Sequence, residues 1–161
     1  MDSASPSAFI HEPDRENPGW HTWALADSER FNAVVMGKLL VQREGDKAVR
    51  LRMFPETRHS NLHGNVHGGV TLSLIDIALF AAARIVAGAD AEGSVTLELT
   101  NQFIGAGRVG SPLDAVAEVL RETRRLVFLR GLIMQGDDLV AAFNGTIRKP
   151  GQKPATASCP A

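Results

Sequence analysis

An aspartate set among Leu74, Ile75, Ile77 and Ala78 carries a charge into an apolar run, which is costly unless something pairs with it. Asp76 is that residue. Its structural reading is a partner close by, Arg84 or a backbone amide, or a helical turn open to solvent. Its functional reading is a buried carboxylate whose raised pKa suits a general base. Gly68 and Gly69 come shortly before it. If they open a helix, free backbone N–H groups point outward and no side chain blocks an approaching ligand oxygen. Such donors polarise a carbonyl or hold an oxyanion, while the plainer role is a tight loop-to-helix turn that needs positive φ. Gly69, Ser73 and Asp76 fall on one helical face, so amide donors and base share a stripe.

His59, His63 and His67 are spaced four apart and would stack three imidazoles on a continuous helix, the pattern of a metal site. Gly64, Asn65, Gly68 and Gly69 break such a helix, and only Glu56 adds a nearby ligand type. These histidines are therefore read as polar loop residues, with no metal assigned. Neither a nucleophile elbow, a P-loop nor a dinucleotide-binding glycine fingerprint is present. Gly105-Ala106-Gly107 lies between two strand patterns, so it is a loop and not a phosphate cradle.

The elements that position these residues follow from periodicity. Residues 70–87 are apolar except for Thr71, Ser73, Asp76 and Arg84, and read as one helix, capped by Gly88 and apolar all round because protein surrounds it. A membrane span is the rival, but a central Asp76 would cost about 2.5–3.5 kcal/mol there. Before the helix, Asp27 to Gly37 reads as a short helix, and Lys38–Glu44 as a strand turning at Gly45-Asp46. The return strand sets Val49, Leu51 and Met53 on one face and Arg50 and Arg52 on the other. After the helix, Ser94–Ile104, Pro112–Arg121, Leu126–Gln135 and Leu139–Arg148 alternate at short spacing, the last three as an antiparallel meander. The expected fold class is α+β: an antiparallel sheet curled around one long central helix, with sheet edges suited to a second subunit.

A chain of 161 residues holds one core. The expected division is a flexible N-terminal segment (1–18), one domain (19–148) and a flexible C-terminal tail (149–161). Seventeen basic against 18 acidic residues leave a net charge of -1, so no basic field exists to hold nucleic acid. The single cysteine, Cys159, excludes an intrachain disulfide, and the N-terminus lacks a signal-peptide pattern, so a cytoplasmic location is expected.

The pattern Asn61-x5-His67-Gly68-Gly69-x6-Asp76 resembles the PaaI-like acyl-CoA thioesterases of the hotdog fold, in element order as well as motif from about Lys38 to Arg148. The resemblance implies hydrolysis of an acyl- or aryl-CoA thioester to free acid and CoA, without a cofactor. Asp76 would activate water or attack the thioester directly. The Gly68 amide and Asn61 would polarise the carbonyl, and His67 would orient Asn61 or sit beside the leaving sulfur. Ser94 would position the water, while Gly69 and Ser73 would border the substrate. Arg124 and Arg125, with Arg121 and Arg130, are candidates for the CoA phosphates. Each site would be shared between subunits of a dimer or a dimer of dimers, Asn61 and Gly68 from one and Asp76 and Ser94 from the next. If Val95, Leu97 and Leu99 cover the chain's own helix, Ser94 faces outward, as an interface site requires. The non-enzyme alternative is a hotdog protein that only binds acyl-CoA.

Overall fold

The computed structural model describes residues 9–89 and 93–150. Three short strands come first: β1 (Phe9–Ile10), β2 (His21–Thr22) and β3 (Ala24–Leu25). A π-helical turn over Asn32–Met36 stands where a short α-helix is expected, ending at Gly37 with φ 69°. The hairpin of β4 (Leu39–Glu44) and β5 (Ala48–Met53) follows, its loop being three residues where the sequence suggests two, because Glu44 pairs with Ala48. Gly45 supplies the positive φ that such a loop needs.

The long helix α1 (Gly68–Ala87) begins at the glycine pair and ends on Gly88 in the left-handed conformation, as its composition dictates. Four strands complete the chain: β6 (Val95–Phe103), β7 (Leu113–Glu122), β8 (Leu126–Gln135) and β9 (Asp138–Arg148). They join β2, β4 and β5 in one antiparallel seven-stranded sheet of order β2-β4-β5-β7-β8-β9-β6. Helix α1 packs across the face that carries Val49, Leu51, Met53, Ala115, Ala117, Leu129 and Ile147, all buried. The opposite face carries Arg50 and Arg52, both bonded to the buried Asp114. The α+β expectation holds.

Four local expectations are corrected. Residues 9–18 are not a loose lead-in: β1 pairs with β3, Phe9 packs on Trp23, and Asp14 holds Lys38. Residues 1–8 and 151–161 lie outside the described residues. Helix α1 is not enclosed on every side, because Gly69, Leu72, Ser73, Asp76 and Phe80 form a stripe left exposed or half-buried. Asp76 is accordingly half-buried, where the apolar run implies full burial.

The fourth correction concerns β6. A bulge between Thr96 and Glu98 breaks its alternation, so the strand has no single apolar face. Thr96 pairs with Ile147, Leu99 with Gly145 and Asn101 with Phe143, residues of the helix side. Val95 pairs with Arg148 and faces away. The parity that would turn Ser94 outward therefore fails, and the hydroxyl-bearing positions before the bulge face α1.

Candidate functional site

The loop before α1 is built around His59, which is buried. Its Nδ1 accepts the Glu56 N–H at 2.8 Å, so the ring is protonated at Nε2, which donates to the Val35 carbonyl at 2.7 Å. Its own carbonyl accepts the His67 N–H at 2.8 Å. His59 thus ties the π-helical turn and the loop together through its ring and the helix start through its backbone carbonyl. Asn61 is oriented within this loop, its Oδ1 accepting the N–H groups of His63 (2.8 Å) and Asn65 (3.2 Å). His67 does not orient it, contrary to one role the resemblance offers. The Asn61 Nδ2 makes no hydrogen bond among the described residues, and Asn61 lines the cavity described next.

His67 is the N-cap of α1, and its Nδ1 accepts the Gly69 N–H at 2.9 Å. Gly69 therefore has no amide to offer a ligand. Gly68 does: its N–H, first in the helix, is unpaired among the described residues. Gly68 also sits under Phe103, whose Cζ lies 3.2 Å from where a Cβ would be, so a side chain there would push the ring by a few tenths of an ångström. Asn61, Gly68, Thr71, Phe103 and the loop Gly105–Gly107 line one cavity of about 230 Å³. Asn61 from the loop and Gly68 from the helix start thus line a single opening.

Two turns along the open stripe, Asp76 Oδ1 accepts the Thr96 hydroxyl at 2.7 Å. Thr96 is not among the site residues expected from the sequence. Its signal in the sequence is a second hydroxyl two places after Ser94. Ser94 stands just before that strand and is half-buried. Arg84, offered as a structural partner for Asp76, lies over the Phe9 ring at 4.9 Å instead. Ser73 donates to the Gly69 carbonyl at 2.8 Å, within the helix backbone. Arg124 and Arg125 are exposed in the β7–β8 turn and line no part of the cavity. His59, His63 and His67 are respectively buried in the loop, exposed, and engaged as helix cap. Among the described residues no three metal-ligating side chains converge.

The arrangement has a built-in separation. Gly68 and Asp76 are eight residues apart on one helix, about 12 Å along its axis. A carbonyl oxygen needs donors at about 3 Å, and its carbon needs a base or nucleophile at about 3–3.5 Å. One chain cannot bring both groups to the same carbonyl.

A family model, the thioesterase superfamily, matches residues 63–142. The solved structure of a conserved protein of Pseudomonas aeruginosa is 30% identical, with a TM-score of 0.65 over 78% of this chain and 94% of that one. The E. coli PaaI protein from the phenylacetic acid degradation operon is 26% identical, with a TM-score of 0.59 over 65% of this chain and 73% of that one. Human acyl-coenzyme A thioesterase 13 is 26% identical over 109 residues, 65% of this chain and 73% of that protein.

Proposed function

The chain belongs to the thioesterase superfamily as a PaaI-like hotdog protein, and from that premise we propose that it hydrolyses acyl-CoA thioesters at sites completed by two copies of the chain. The thioester carbonyl enters the 230 Å³ cavity and takes hydrogen bonds from the Gly68 N–H and Asn61 Nδ2. Negative charge that develops on its oxygen is stabilised there, at the positive end of α1. Asp76 of the second copy supplies the carboxylate, either taking a proton from water or attacking the carbonyl carbon. Thr96 occupies Oδ1 of that carboxylate and leaves Oδ2 for the reaction. Ser94 of the same copy positions the water, and Gly69 and Ser73 border the substrate without donating amides to it. Arg124 and Arg125 remain the candidates for the CoA phosphates.

The observation that carries this reading is the split: free donors at a cavity, and a hydroxyl-held carboxylate two turns away on an open helical stripe. The split supports a site assembled from two copies, because neither half can act alone. The oriented carboxylate supports hydrolysis over binding alone, since a pure acyl-CoA binder gains nothing from an anion held beside its ligand. The test is a panel of aliphatic and aryl acyl-CoAs, with released CoA trapped by a thiol reagent, on the wild type and on Asp76→Asn. Removal of a general base costs about 10²–10⁴ in rate. We expect at least a hundredfold loss of turnover in a variant that still folds and still binds acyl-CoA. Tight binding of acyl-CoAs without turnover by the wild type would instead establish the non-catalytic protein.

A further inference from the structure

The buried positions of β8 alternate through Val127, Leu129 and Ile133, and the next place in that alternation, where an apolar residue is expected, holds Gln135. A buried primary amide is destabilising unless its donors and its acceptor are used. Those of Gln135 all go to one segment. Its Oε1 accepts the Arg108 N–H at 2.7 Å, and its Nε2 donates to the carbonyls of Arg108 at 2.8 Å and Ser111 at 3.1 Å. One side chain thus takes both main-chain groups of Arg108, as a neighbouring strand would. The Arg108 guanidinium adds an ion pair to Asp138, three places on from Gln135.

The segment so held, residues 104–112, supplies a wall of the cavity at Gly68. Its start is fixed by β9. Ile133 pairs with Ala141 and Met134 with Leu139, and the Val140 between them turns its carbonyl to the N–H groups of Ile104 and Gly105, both at 2.9 Å. Its middle reaches the loop before α1, because the Gly107 carbonyl accepts the Val66 N–H at 2.8 Å, two residues ahead of Gly68. The two segments are close there, a Cβ at Gly107 standing only 3.3 Å from the Val66 side chain. Gly107 adjoins Arg108, so the amide that grips Arg108 sets where that carbonyl lies. Gln135 itself does not line the cavity. This inference rests on the reading of Gly68 and Asn61 as donors to the thioester carbonyl. We propose that Gln135 is a positioning residue for that reaction: through Arg108, Gly107 and Val66 it fixes the cavity wall and keeps the Gly68 N–H aimed at the developing oxyanion. Such donors act chiefly in the transition state, so their misplacement lowers kcat more than it raises KM.

The test compares Gln135→Met, similar in length and volume but without the three hydrogen bonds, with Gln135→Glu, which keeps the acceptor and loses both donations at neutral pH. Measured per folded active site, Gln135→Met should lower kcat by about 10–100-fold and change KM by less than about threefold, the scale of a misaligned donor. The ratio of Gln135→Glu to wild type should be low at neutral pH and rise as the pH falls, since a protonated carboxyl recovers one donor. That arm also serves if Gln135→Met does not fold. Combined with Asn61→Ala, which already weakens the cavity, Gln135→Met should cost less than it does alone. Combined with Thr96→Val, on the carboxylate half of the site, its cost should be unchanged. Wild-type kcat in folded Gln135→Met, equal losses in the two combinations, or a Gln135→Glu ratio flat with pH would overturn the proposal. Amide hydrogen exchange distinguishes its failure from failure of the proposed activity. Faster exchange of residues 61–68 as well as 104–112 in Gln135→Met, in a protein whose wild type hydrolyses nothing, would refute the activity and uphold the hold of Gln135 on the site loop. Faster exchange confined to 104–112 would refute that hold.

Discussion

Thr96 shows what a single hydroxyl can do beside a carboxylate. Its bond to Asp76 Oδ1 fixes which oxygen is free, and it is a hydrogen bond to a charged acceptor, worth about 1.5–3 kcal/mol when removed. If that stabilisation is realised as the carboxylate acts, Thr96→Val lowers kcat by about 10–100-fold. Steady-state kinetics against Thr96→Ser, which keeps the hydroxyl, check it: the serine variant should retain most of the rate. Asp76 and Gly68 stand out in the sequence because a charge in an apolar run and a glycine pair at a helix start are local anomalies, whereas Asn61 comes only from the family resemblance. The consequence of His67 was not legible. An N-cap histidine that takes the Gly69 amide removes one of two donors that look equivalent in the sequence. That Thr96 faces Asp76 depends on a bulge, which alternation does not reveal. The hint was there nonetheless: Leu99 and Phe103 are separated by the polar run Thr100-Asn101-Gln102, so the apolar alternation had already failed.

At the scale of elements, the helix and the six longer strands were readable to within a residue or two. Residues 9–25 were not, because their order comes from long-range partners. Trp23 is buried, Phe9 packs on it, Arg84 lies over Phe9, and His11 stacks on His21 with centroids 4.9 Å apart. The acidic and proline-rich composition that suggests a loose terminus conceals Asp14, which accepts from Asn17 and pairs with Lys38 at 2.9 Å. Those contacts, the Asn17 hydrogen bond first and then Lys38, pull the Asp14 pKa down to about 2. The sign follows: a carboxyl held lower in the folded state contributes stability above its ordinary value of 3.8, and the contribution fades as pH falls through about 2. Asp14→Asn is therefore expected to lower the melting temperature at pH 7. Limited proteolysis should cut first within residues 9–18. The difference in melting temperature from wild type should shrink steadily below pH 4 and vanish below pH 2. A gap between the two proteins that stays constant over that range would mean that Asp14 acts only through packing.

The whole molecule is where the sequence says least by itself. Composition bounds the chain to one core, but nothing in spacing shows that Gly68 and Asp76, on one stripe of one helix, are too far apart to share a substrate. That follows only from the rise of the helix, about 12 Å over eight residues, once the helix is known to be continuous. The same limit gives the most direct test of the account. Asn61→Ala removes a donor from the cavity and Asp76→Asn removes the carboxylate, so each protein alone should be nearly inactive. Denatured together in equal amounts and refolded, they form mixed dimers in which one of the two sites has neither defect. Random pairing makes half the dimers mixed, so about a quarter of wild-type turnover should return. Recovery near that level is the predicted result. Turnover that stays at the level of the separate variants, with mixed dimers demonstrably present, would place Asn61 and Asp76 in the same site of one chain and contradict the account.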